Sequence, residues 1–225
     1  MNRAAALRCG NLKNGDDKME IELKYLLRDN LAKDRILNDK HLLEIKDSSC
    51  DETIQMKAVY FDTEEGDLRR LQIALRARFE NEKVVVTLKW KGSAKDGLHV
   101  RGELNVPSDT GYLEHPTVDI FKGSEIYDEL LAAVSDKKLM PVMEMDYVRK
   151  AIQVDTGKSI SVVSLDEGTI HTSKGDDEIL EVEVELYSGD QEDMVALGGE
   201  LAAKYNLETS DKSKYQRGLE LLGVI

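Results

Sequence analysis

Apolar and polar residues alternate with a period of two along eight stretches: EIELKYLL (20–27), MKAVYFDT (56–63), IALRARFE (73–80), KVVVTLKWK (83–91), LHVRGELNV (98–106), VMEMDYVRKAIQV (142–154), SISVVSLDEGTI (159–170) and ILEVEVELYSG (179–189). Successive side chains of a strand face opposite sides of its sheet, so this alternation, rich in Val, Ile, Tyr and Thr, predicts strands. Clusters such as ENEK (80–83) and SAKDG (93–97) separate them as turns. Three stretches carry helical spacing instead. Asn30 to Ile45 does so imperfectly through Leu31, Ile36, Leu37, Leu42 and Leu43, and Asp119 to Val134 more clearly through Ile120, Ile126, Leu130, Leu131 and Val134. Gln191 to Tyr205 is the best of them, placing Met194, Leu197, Leu201 and Tyr205 on one face. With only three prolines, no Pro/Ser-rich linker and no fixed-period repeat, the expectation is one mainly β (α+β) domain over residues 19–225 with helices at its periphery. Residues 1–18 show no periodicity and read as a flexible extension.

Three of the strands put their charges on a single face. Glu20, Glu22 and Lys24 lie opposite Ile21, Leu23 and Tyr25; Glu181, Glu183 and Glu185 lie opposite Val182, Val184 and Leu186; Arg76 and Arg78 lie opposite Leu75, Ala77 and Phe79. A solvated surface face would explain any one of them. Together they point elsewhere, because like charges about 6.6 Å apart along a strand repel one another and gain nothing. If the sheet closes into a barrel, the aliphatic faces pack outward against helices and the charged faces converge on a wet lumen. Carboxylates there suit hard divalent cations, and a basic wall opposite suits a polyphosphate.

Composition narrows this further. A net charge of −13 argues against general affinity for nucleic acid or anionic membranes, and a polyanionic ligand becomes acceptable only if the basic residues are concentrated and a divalent metal is present. No run of about 18 apolar residues occurs, and the N-terminal MNRAAALRCG has no long apolar segment, so neither a membrane span nor a secretory signal is expected. Cys9 and Cys50 form no disulfide framework or zinc motif and fit a cytoplasmic compartment. The four histidines are scattered without ligand spacing, while Trp90, Phe79, Met140, Met143 and Met145 read as packing residues.

EIELK (20–24) resembles the ExExK signature of the CYTH domain family, also called triphosphate tunnel metalloenzymes. The similarity continues through YFDT (60–63), ALRAR (74–78), TLKWK (87–91) and RGEL (101–104), then Arg149 in DYVRK, Asp166 in SLDEG, the EVEVEL strand and Lys214 in DKSKYQRGLEL. It covers about residues 19–222. The resemblance implies a closed or nearly closed eight-stranded antiparallel β-barrel forming a tunnel. It also implies that Glu20, Glu22, Glu181 and Glu183 ligate Mg²⁺ or Mn²⁺, with Glu185 on the same face and the choice of two among three left open. Lys24, Arg76, Arg78, Lys89, Arg149 and Lys214 would bind phosphate oxygens. Lys89 and Asp166 carry the catalytic expectation, Asp166 by assisting the metal or orienting a base. Arg101 and Glu103 would be a supporting ion pair, with Arg101 a further candidate for substrate binding. Some triphosphatases of the family carry a lysine two residues before the arginine of the sixth strand, where this chain has Tyr147.

The implied function is metal-dependent hydrolysis of a small-molecule triphosphate, first of all inorganic triphosphate. Class IV adenylate cyclase chemistry, thiamine triphosphate hydrolysis and a non-catalytic polyphosphate- or nucleotide-binding module are the alternatives. Neither a nucleic-acid nor a membrane partner is expected, and the choice between a monomer and a homodimer stays open.

Overall fold

The computed structural model describes residues 18–28 and 30–225, so the expectation of a flexible extension falls almost wholly outside the described residues. The strands are β1 (Lys18–Leu26), β2 (Lys46–Asp62), β3 (Ala74–Glu80), β4 (Lys83–Lys95), β5 (Leu98–Ser108), β6 (Met140–Asp155), β7 (Ser159–Thr172), β8 (Gly175–Gly189) and the two-residue β9 (Glu208–Thr209). The helices are α1 (Asn30–Ile36), α2 (Lys40–Ile45), α3 (Asp67–Arg70), α4 (Tyr127–Val134), α5 (Gln191–Tyr205) and α6 (Lys214–Leu222).

All strand pairings are antiparallel, and the sheet runs β5-β4-β3-β2-β6-β7-β8-β1, with β9 beside the end of β1. A further pairing of β1 with β5, from Lys18 opposite Glu103 to Leu23 opposite Leu98, closes eight strands into a barrel. Closure removes the free sheet edges.

The aliphatic faces point outward, as the alternation requires. Leu23, Tyr25, Val163, Leu165, Val182 and Val184 are buried beneath Met194, Leu197 and Leu201 of α5 and Ile36 and Leu42 of the first two helices. Val59, Phe61, Leu75, Ala77, Val86 and Leu88 are covered by Ile126, Leu130 and Val134 around α4 and by Leu68 of α3. Glycine permits one close approach in this wall: a Cβ on Gly102 would lie 2.6 Å from the Trp90 ring of the neighbouring strand. The third cluster lies inside, where Met56, Ala58, Tyr60, Met143, Met145, Ile170 and Ile179 meet Tyr215 and Leu219 of α6 at one end of the barrel.

Several elements depart from the sequence expectation. The single helix expected over Asn30–Ile45 is two, because the Asp39 carboxylate accepts from the amides of His41 and Leu42 and starts a new helix. The stretch Asp119–Val134 divides likewise into a 3₁₀ turn at Val118–Phe121 and α4. Strand β2 begins ten residues earlier than its hydrophobic pattern, and α6 was not anticipated. Of the packing residues, Trp90, Met143 and Met145 are buried, Phe79 is half-buried and Met140 is 43% exposed.

Candidate active site

The barrel encloses a cavity whose walls come from all eight barrel strands and at one end of which α6 packs. At that end stand Lys214 and Tyr215; at the other, half-exposed, stand Glu52, Glu80, Glu185 and Tyr187. A capping box fixes the start of α6, with Ser213 Oγ accepting from the Gln216 amide and the Gln216 side chain accepting from the Ser213 amide. This sets Lys214, the first helical residue, at the lumen. The approach to it is stapled as well: buried His99 donates from Nε2 to the Ser210 carbonyl at 2.8 Å, and the Asp211 carboxylate accepts from the Gly97 amide at 2.7 Å. Burial holds the His99 imidazole below its ordinary pKa. The ring is thus a structural tie.

The expected charged residues converge, and Glu20, Glu22, Glu181, Glu183 and Asp166 are held by cations. Glu20 accepts from Lys89 at 2.7 Å and from Arg101 Nε at 2.6 Å, and Arg101 Nη2 reaches Glu22 at 2.6 Å. Lys89 also contacts Glu103 at 2.6 Å, so Glu103 joins this group through the lysine. Glu183 is shared by Lys24, by Lys214 at 2.8 Å and by Arg149 at 2.5 Å. Glu181 accepts from Lys214 at 2.8 Å, Lys24 at 3.2 Å and Arg217 at 2.7 Å. Asp166 takes both prongs of Arg149 at 2.7 Å and also contacts Lys214 at 2.8 Å. Burial alone would raise the carboxyl pKa values. The Arg101 and Lys89 cations beside Glu20 hold it well below the usual range instead, and Lys214 and Lys24 bring Glu181 down to about 2 and Glu183 well down. Burial opposes the charge on Lys24 and Lys214 too, but the surrounding carboxylates raise both ammonium pKa values.

Two cations are different. Arg76 Nε and Nη2 and Arg78 Nε are buried without a hydrogen-bond partner, although Arg78 Nη2 pairs with Glu80 at 2.6 Å. Both side chains line the cavity, and the Arg76 guanidinium stands 5.9 Å from the centre of the Tyr60 ring, which itself stacks on Tyr215 at 4.9 Å. Tyr147 lies beneath Lys214, 5.6 Å from Nζ.

Among the described residues, no three Asp, Glu, His or Cys side chains are already gathered as a metal site, because the carboxylates are spread across lysines and arginines. The donor set nevertheless fits a hard divalent ion. Glu20 and Glu22 of β1 and Glu183 and Glu185 of β8 line one side of the cavity on neighbouring strands, with Glu22 opposite Glu185 in register. All four supply oxygen only. Sequence reasoning missed Arg217; it lies in the quoted DKSKYQRGLEL segment, but its reach to Glu181 depends on the unanticipated helix.

A closed antiparallel barrel with a lumen of facing carboxylates and cations defines the class of fold and site. The chain belongs to the CYTH domain family, whose model matches residues 18–219. It is 30% identical over 164 residues to an inorganic triphosphatase of Haemophilus influenzae; the match takes in 73% of this chain and 45% of that protein, so the chain spans about half the length of that relative. Solved structures share the fold. One is an adenylyl cyclase candidate from Hippeastrum with a dominant triphosphatase activity, at TM-score 0.68 and 22% identity, covering 92% of this chain and 97% of that one. Another is an adenylate cyclase candidate from Bacillus halodurans, at TM-score 0.61 and 20% identity, covering 89% and 97%. No helix among the described residues is long and apolar enough to cross a membrane.

Proposed function

We propose that this chain hydrolyses a linear triphosphate, inorganic triphosphate before others, with a divalent ion held by Glu20, Glu22, Glu183 and Glu185. The unpartnered nitrogens of Arg76 and Arg78 carry this reading. A buried guanidinium without an acceptor is costly, and a phosphate oxygen in the cavity supplies one. The inorganic triphosphatase relative supports the choice of substrate.

The site's own residues then act by exchange. Arg76 and Arg78 grip the entering phosphates, and Lys24, Lys89, Arg101, Arg149 and Lys214 turn from carboxylates toward phosphate oxygens. Their release would strengthen the hold of the cavity-facing carboxylates on metal. A divalent ion held by these carboxylates would supply charge neutralisation at the phosphate oxygens and a lowered pKa for water. Positioning and electrostatics carry most of phosphoryl transfer, so the reading requires no nucleophilic side chain.

The test is product analysis with inorganic triphosphate, ATP and thiamine triphosphate, each with Mg²⁺ or Mn²⁺. Orthophosphate and pyrophosphate, released fastest from inorganic triphosphate and only with metal, is the expected result. Cyclic AMP from ATP would replace it with a cyclase, and tight binding without turnover would leave a binding module.

A further inference from the structure

The carboxylates of the barrel form two tiers. Glu183 and Glu185 line the cavity. Glu181 and Asp166 do not; both are 0% exposed, and every carboxylate oxygen they have is engaged. Arg217 Nη1 holds Glu181 Oε1 at 2.7 Å, while Oε2 faces Lys24 and Lys214. The rest of that guanidinium is anchored on β8 by the Asp177 carboxylate, at 2.9 and 2.6 Å, and by the Glu178 carbonyl.

We propose that Glu181, fixed by Arg217, is a positioning residue that keeps the Lys24 and Lys214 ammonium groups aimed at the lumen, and that it is not a metal ligand; Asp166 does the same for Arg149 and Lys214. This rests on the triphosphate reading of the cavity. Lys24 and Lys214 share the same carboxylates and repel one another. When phosphate and metal draw Glu183 away from them, an acceptor must remain behind, or the two like charges move apart. Glu181 can remain because Arg217 holds its far oxygen on the side away from the cavity. Arg217 and Lys214 share one helix, so docking α6 sets the lysine and the clamp behind it together.

The test reads binding, so it stands apart from turnover. Mn²⁺ affinity is followed by electron paramagnetic resonance without substrate, and inorganic triphosphate affinity by calorimetry, for wild type, Glu181→Gln, Arg217→Gln, Arg217→Lys and Glu183→Gln. The expected result is that Glu181→Gln and Arg217→Gln weaken triphosphate by about tenfold and change Mn²⁺ affinity by less than about threefold. Arg217→Lys recovers part of the triphosphate loss, and Glu183→Gln weakens Mn²⁺ by about tenfold or more. Mn²⁺ loss in Glu181→Gln equal to that in Glu183→Gln would overturn the proposal by making Glu181 a ligand. Wild-type triphosphate affinity in both Glu181→Gln and Arg217→Gln would overturn it as well. Arg217→Gln keeps every carboxylate and decides the matter if Glu181→Gln does not fold. A wild-type protein that binds triphosphate without cleaving it would end the hydrolase reading and leave this one intact.

Discussion

Glu183 meets three cations, and Glu20 meets two in the same way. From the strand pattern alone, three glutamates in a row suggest repulsion and hence relief when one is removed. The structure reverses that sign, since neutralising one carboxylate leaves buried cations short of a partner. Glu183→Gln therefore lowers the melting temperature of the metal-free protein, by about 3–5 kcal/mol in stability, the range for breaking a buried pair from one side. Calorimetric or denaturant unfolding checks it, and a stabilised variant would contradict it. The same pairs set an acid limit. Folding lowers the carboxyl pKa values of Glu20, Glu181 and Glu183, so below about pH 4.5 the unfolded chain binds more protons than the folded one. Their stabilisation is complete above that value and declines as pH falls; the share of Glu181, roughly 3 kcal/mol, is lost toward its folded value of about 2. Unfolding free energy measured from pH 6 down to pH 2.5 should fall along this course.

At the scale of the element, α6 depends on a glycine. A Cβ on Gly218 would lie 2.4 Å from Met143 Sδ and 3.3 Å from Ile170 Cγ2, so the buried Met143 side chain has to shift. Alanine adds about 1 kcal/mol of helix propensity, but overpacking costs about 1–3 kcal/mol, so Gly218→Ala loosens α6 from the barrel. Faster amide exchange in residues 214–222 and weaker triphosphate binding through Lys214 are the expected readouts. This helix was hard to foresee for a physical reason. Tyr215, Leu219 and Leu222 are its whole apolar stripe, only nine residues long with Gly218 inside it. By contrast, α5 matches its expected bounds because four apolar positions recur over fifteen residues. All eight barrel strands were legible, since each carries one face into a hydrocarbon layer. The first ten residues of β2 were not: Lys46 to Gln55 is mostly polar, and its pairing with β6, at Lys46 and again from Asp51 after a register break, leaves no hydrophobic signature. Which residues face the lumen was legible from alternation, but which cation holds which carboxylate was not, because that depends on side chains brought together from distant strands.

The whole molecule carries a net charge of −13, and Glu52, Glu80 and Glu185 stand at the open end of the cavity. A free triphosphate therefore approaches against a repulsive field, although the site inside attracts it. Raising ionic strength from about 10 to about 150 mM shortens the Debye length from about 30 to about 8 Å and screens that field. The association rate constant for triphosphate should rise over this range; a decrease, the sign of attractive steering, would show that the basic lumen governs approach from a distance. The floor that α6 lays across the barrel has a separate consequence. On the triphosphate reading, the end away from α6 serves as the doorway for entry and for exit, so traffic is last in, first out. On that same reading, of two fragments made inside, the one nearer α6 waits until the other has left, and a longer phosphate chain enters only by its tip while its tail stays outdoors.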